Sequence, residues 1–131
     1  DYRERLAAIV ESSRDAIIGT DLEGVVTSWN AGAEAIFGCP AAAILGTPIS
    51  RLIPDEARWQ DVIILDKLRR GECVEPFETL RRTADGRLID VSVSASPIRD
   101  AGGQIVGGAR IVRDVTALKQ REREIARLSR L

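Results

Sequence analysis

Residues 15–38 read Asp15-Ala16-Ile17-Ile18-Gly19-Thr20-Asp21-Leu22-Glu23-Gly24-Val25-Val26-Thr27-Ser28-Trp29-Asn30-Ala31-Gly32-Ala33-Glu34-Ala35-Ile36-Phe37-Gly38. Two short apolar runs, Ala16 to Thr20 and Val25 to Trp29, flank the polar segment Asp21-Leu22-Glu23-Gly24. That pattern predicts a β-hairpin, with Gly24 supplying the positive φ of its tight turn. Asn30 ends the second strand and has the side chain to cap a helix over Ala31 to Phe37, and Gly38 fits that helix's C-terminal stop. A hairpin running straight into a short capped helix is therefore written into one continuous stretch.

Working outward, Pro40 suits the start of a second short helix over Ala41 to Leu45, ended by Gly46. One more helical turn fits around Ile49 to Ile53. Pro54-Asp55-Glu56 open a longer helix running to Arg70, with acids in its first turn and Lys67, Arg69 and Arg70 in its last, as the helix dipole favours. The remainder reads as strands. Val74 to Arg82 and Arg87 to Ile98 are joined by an Asp85-Gly86 turn, and Asp100-Ala101-Gly102-Gly103 leads into Gln104 to Asp114. Thr116 is expected to cap a final helix. At the other end, Leu6, Ile9 and Val10 give residues 1–13 the spacing of an amphipathic helix. The expected fold class is α+β: a five-stranded antiparallel sheet with a helical insert on one face. The terminal helices would lie on the other face or project away.

Composition narrows the chemistry. The 131 residues amount to one domain, and 44% hydrophobic with 30% charged residues is ordinary globular usage. Nineteen basic and 20 acidic residues nearly cancel, so the global pull of a nucleic-acid binder is missing and no nucleic-acid partner is expected. There is no histidine, which removes Ser-His-Asp and Cys-His catalysis, His-ligated zinc and His-ligated haem. It also places any phospho-accepting histidine outside this segment. There is no methionine, as expected of a segment of a longer protein. Cys39 and Cys73 match no metal or redox spacing and read as thiols in a reducing cytoplasm. No apolar run is long enough to span a bilayer, so no membrane contact is expected. No glycine motif cradles phosphate and no nucleophile–base pair is evident, so the segment itself is not expected to be an enzyme.

The chain resembles the PAS family, and the residues carrying the resemblance span most of its length. They are Asp15 to Asp21, Gly24, Ser28 to Gly38, Leu45-Gly46, Leu52-Ile53-Pro54, Phe77-Glu78-Thr79, Ala84-Asp85-Gly86, Ser96 to Asp100, and Arg113-Asp114-Val115-Thr116. The resemblance implies a sensory or interaction module placed before a signalling output, with a pocket between the concave sheet face and the helices. It implies that Asp114 and Thr116, an Asp-x-Thr motif, couple the core to the downstream linker; both also suit simple capping of the exit helix. It further implies three segments: a flanking dimerisation helix at 1–13, a core at 14–115, and a signal helix at 116–131. Leu6, Ile9, Val10, Leu118, Ile125 and Leu128 would form the homodimer and linker stripe, unless the first helix covers its own sheet.

Family members that trap flavin on a cysteine carry Gly-Arg-Asn-Cys-Arg-Phe-Leu-Gln. The matching stretch here is Gly46 to Ile53, with Ile49 at the cysteine position. Val91 and Val112 fall where those relatives have amides. Photoactive flavin is therefore not expected, nor is haem, since the long helix has no histidine, Cys73 lies past its end and Tyr2 lies outside the core. No cofactor is predicted. Non-covalent flavin stays open, with Trp29 and Trp59 as stacking candidates, although buried tryptophan more often fills a core.

Strand parity turns Ile18, Thr20, Phe77, Thr79, Val91, Val93 and Val112 toward the helices, with Phe37, Ile53, Trp59 and Ile63 closing the other side of a candidate pocket for an unknown small ligand. Arg110 shares parity with Val112. A buried arginine needs a partner, either a protein carboxylate or a carboxylate ligand; alternatively Arg110 lies toward an exposed strand end. The function expected is the signal-input and dimerisation module of a bacterial sensor histidine kinase. A diguanylate cyclase, phosphodiesterase or transcription regulator is the alternative parent, and a purely structural dimerisation domain the alternative role.

Overall fold

The computed structural model describes residues 1–131. After α1 (Tyr2–Ser12) come the hairpin strands β1 (Ala16–Thr20) and β2 (Val26–Trp29). The helical insert follows: α2 (Ala31–Phe37), α3 (Ala41–Ile44), two 3-10 turns (Ile49–Leu52 and Asp55–Ala57) and α4 (Arg58–Arg69). Three long strands, β3 (Val74–Arg82), β4 (Leu88–Arg99) and β5 (Ile105–Asp114), precede α5 (Thr116–Leu128). The five strands form one antiparallel sheet in the order β2-β1-β5-β4-β3. The last strand in sequence therefore lies at the centre, and its pairing with β1 closes the chain on itself.

Local chemistry accounts for the elements. Gly24 and Gly86 take φ of 87° and 88° in their turns, a region L side chains avoid. Asn30 caps α2 by accepting from the Ala33 N–H at 2.9 Å. Two of the differences from the expected boundaries bear on the site. The long helix starts at Arg58, because residues 55–57 wind as a 3-10 turn behind Pro54. Thr116 is the first residue of α5 rather than its cap, and its N–H donates to the Asp114 carboxylate at 2.9 Å.

The core lies between the inner sheet face and α2 to α4, and gathers Ile18, Phe37, Ile44, Ile64, Leu68, Val91, Val93 and Val112. Gly32 is where α2 closes on the chain entering β1: a Cβ there would lie 2.1 Å from the Asp15 carbonyl oxygen and 2.6 Å from that of Ser13. Backbone cannot yield as a side-chain tip can. Gly32→Ala is expected to cost about 1–3 kcal/mol, read as a lowered midpoint in urea unfolding.

The terminal helices contribute nothing to this core. No residue of α1 or α5 is buried, so α1 does not cover the back of its own sheet. No helix is long and apolar enough to cross a membrane.

Candidate functional site

The sequence-predicted pocket residues divide into two groups. Ile18, Phe37, Val91, Val93 and Val112 lie in the close-packed core, and Ile53 is buried beside it. Trp59 and Ile63 do not close that core: they are 61% and 47% exposed. Helical spacing is the reason. Asp61, Ile64, Leu65 and Leu68 form the buried stripe of α4. Trp59 and Ile63 fall on its flank and, with Gln60, Val74 and Phe77, line a groove of about 340 Å³ between α4 and β3. Of the two tryptophans, Trp29 is a core residue: its Nε1 donates to the Cys39 carbonyl at 2.9 Å, and its ring lies 5.5 Å from that of Phe37.

A polar cluster penetrates the apolar interior. Arg110 stands on central β5, opposite Ile18 of β1 and Ala95 of β4. It is 2% exposed, so it does not lie at an exposed strand end, and its Nη1 donates to Asp61 Oδ1 at 2.5 Å. Arg81 enters from edge strand β3, with Nη1 donating to Gln60 Oε1 at 2.9 Å and to its neighbour's carbonyl, that of Leu80, at 2.8 Å. The Thr79 hydroxyl donates to the same Gln60 oxygen at 3.0 Å. Two guanidinium groups thus converge on the first turn of α4. Burial, followed by repulsion from Arg110, pushes Arg81 down to about 10, and the Asp61 carboxylate opposes the shift. Sequence reasoning missed Arg81 and Asp61. Both carried a signal: Arg81 shares strand parity with Phe77 and Thr79, and Asp61 lies three, four and seven residues before Ile64, Leu65 and Leu68.

The exit helix is fastened differently. Asp90 of β4 accepts at its carbonyl from the Val115 N–H at 2.9 Å and from the Thr116 hydroxyl at 3.4 Å. Its carboxylate accepts from Arg123 Nη1 and Nη2 at 3.1 and 3.0 Å. Lys119 reaches Glu78 of β3 at 3.1 Å, and the hydrogen bonds it donates to Glu122 and Glu78 raise its pKa. Asp114 and Thr116 therefore lie together at the junction, with Asp90 as the third member. The stripe residues Leu118, Ile125 and Leu128 remain exposed on α5, as do Leu6, Ile9 and Val10 on α1.

Comparison with known proteins fits this architecture. The family model described as the PAS fold matches residues 4–115. The signal transduction histidine-protein kinase AtoS of Escherichia coli (strain K12) is 33% identical over 123 residues, 94% of this chain and 20% of that protein. The chain thus spans about a fifth of the length of that relative. A crystal structure of a PAS domain from Colwellia psychrerythraea has a TM-score of 0.80 at 26% identity, covering 89% of this chain and 99% of that one. An RNA-binding Light-Oxygen-Voltage receptor has a TM-score of 0.81 at 20% identity, covering 98% of this chain and 37% of that one.

The last of these corrects the cofactor expectation. The expectation against photoactive flavin rests on Ile49, Val91 and Val112 standing in place of a cysteine and two amides. A receptor of the Light-Oxygen-Voltage type, the flavin-binding photoreceptor class, nevertheless shares nearly the whole fold, and the exclusion of flavin does not stand. Those replacements remove a covalent bond and polar contacts but leave the backbone frame unchanged. From the match over residues 4–115 and the shared five-stranded architecture, the chain belongs to the PAS family.

Proposed function

We propose that the chain is the signal-input module of a sensor histidine kinase, relaying a state of its core to a C-terminal output through α5. The observation carrying this is Asp90. One residue of the central sheet region holds the start of α5 by its carbonyl and the second turn by its carboxylate, so a shift of β4 moves the helix as a unit. Asp114 and Thr116 set the angle at which α5 leaves the sheet. The kinase parent is favoured over the other output classes by the 33% identity to a histidine kinase. Operation in the cytoplasm accords with Cys39 and Cys73 remaining free thiols.

Self-association is part of this proposal. Leu6, Ile9 and Val10 on the flanking helix, and Leu118, Ile125 and Leu128 on the signal helix, are apolar side chains left 37% to 64% exposed, and a second copy would bury them. Segments 1–13 and 116–131 then act as dimer and relay elements around the 14–115 core. Leu118→Glu with Ile125→Glu is expected to weaken the dimer at least tenfold in sedimentation equilibrium and to uncouple phosphorylation from stimulus in the longer protein. An unchanged dimer with intact signalling would defeat the proposal.

A further inference from the structure

The interior holds more cationic donors than protein acceptors. Arg81 and Arg110 are 4% and 2% exposed. Asp61 is the carboxylate between them, and it pairs with Arg110. Arg81 is held only by neutral oxygens, those of Gln60 and Leu80. Arg110 Nε, Arg110 Nη2 and Arg81 Nη2 are buried without a hydrogen-bond partner in the chain. Two guanidinium charges against one carboxylate leave an excess of one positive charge, and buried charge persists when it is paired. Burial first, and then repulsion from Arg110, lowers the pKa of Arg81.

Gln60 connects this cluster to the outside. Its Oε1 accepts from Arg81 and Thr79, and the same residue lines the groove with Trp59, Ile63, Val74 and Phe77. The groove is mainly apolar, with Lys67 and Glu75 also in its lining, and Gln60 is the residue it shares with the guanidinium cluster. An excess of one charge suits a monoanion better than a phosphate dianion, and a planar carboxylate matches the guanidinium fork.

We propose that the groove between α4 and β3 admits a small carboxylate with an apolar tail, its head received by Arg81 and Arg110 and its tail lying on Trp59, Ile63 and Phe77. Gln60 is then the neutral group that holds Arg81 until the carboxylate arrives. This rests on the signal-input role and names the ligand class for it: charge neutralisation at Gln60-Asp61 alters how α4 is held against the strand that pairs with β4.

The purified 131-residue chain would be titrated with acetate, hexanoate and decanoate at constant ionic strength, following thermal melting and calorimetric heat. Hexanamide supplies the tail without the charge, and inorganic phosphate an anion without the tail. Saturable stabilisation by hexanoate is expected, absent for hexanamide and phosphate, with affinity rising about fourfold per methylene until the groove is filled. Arg81→Met, whose partners are neutral and which leaves the Asp61–Arg110 pair intact, should weaken hexanoate at least tenfold. Arg81→Lys, which keeps the charge but loses the fork, should weaken it less and guards against a misfolded first variant. No effect of any carboxylate, equal effects of hexanamide or phosphate, or full binding by Arg81→Met would each overturn the proposal. Failure here with a dimer still sensitive to Leu118→Glu and Ile125→Glu would remove the ligand class and leave the relay. The converse would remove the relay and leave the binding site.

Discussion

Replacing Asp61 with alanine is expected to destabilise the fold by about 3–5 kcal/mol, the largest effect of any single carboxylate in this chain. The reason is what remains afterwards. Arg110 is 2% exposed on the central strand, and its Nη1 loses the one ion-pair partner it has. Its Nε and Nη2 already lack partners in the chain, so the guanidinium would be left with a charge and no compensating oxygen. Long side chains elsewhere escape to water, but Arg110 is flanked by β1 and β4 and roofed by α4. Arg110→Met should cost clearly less, since it leaves the carboxylate in the first turn of a helix, where the dipole favours it. The double variant should recover much of the Asp61→Ala loss. Urea unfolding of the four proteins in a cycle measures this; additive single costs, or an Asp61→Ala loss below about 1 kcal/mol, would show that the pair does not bear on stability.

Asn30→Ala is the second large expected loss, about 2–4 kcal/mol. The side chain is 2% exposed and makes four hydrogen bonds to backbone. Oδ1 accepts from the Ile17 and Ala33 N–H groups, both at 2.9 Å. Nδ2 donates to the Val10 carbonyl at 2.7 Å and to the Asp15 carbonyl at 3.1 Å. Alanine would remove a helix cap and also leave the Ile17 N–H of β1 without the side-chain oxygen it donates to. Asn30→Asp keeps the two accepted bonds and loses the two donated ones, so it should fall between. Melting temperature resolves the series at roughly 4 °C per kcal/mol for a domain of this size. Hydrogen exchange at the Ile17 amide should accelerate with it, and an unprotected Ile17 amide in the native protein would argue against the arrangement.

The difference between these residues explains how far the sequence could be read. Asn30 was legible because capping is local: a strand, a polar side chain and an alanine-rich turn occur in consecutive positions. The hairpins at Gly24 and Gly86 were legible for the same reason. Strand order was not. The placement of β5 between β1 and β4 depends on pairings such as Ile18 with Arg110 and Ser94 with Ile111, which no short window contains. The core side of each strand followed from parity, so Ile18, Val91, Val93 and Val112 were placed correctly. On α4, proline at position 54 marked a beginning, but the 3-10 turn behind it delayed the helix and hid which stripe would face inward. Hence Trp59 and Ile63 were assigned to the interior, while Asp61, the residue that does enter it, was passed over. Charged residues were read by sign and helix end, a description that ignores face. Arg81 and Asp90 show that the face decides whether a charge lies in the core or holds the exit helix.

α5 touches the sheet through Arg123 with Asp90, Lys119 with Glu78 and the Thr116 hydroxyl with the Asp90 carbonyl, and it buries no side chain. Its docking is therefore an electrolyte-dependent equilibrium. Solvent-exposed pairs of this kind contribute only about 0–1 kcal/mol each, and at physiological salt the Debye length of about 8 Å confines their pull to close range. The energy needed to shift that balance is small compared with the energy that holds the domain together, so the exit can be switched while the core stays folded.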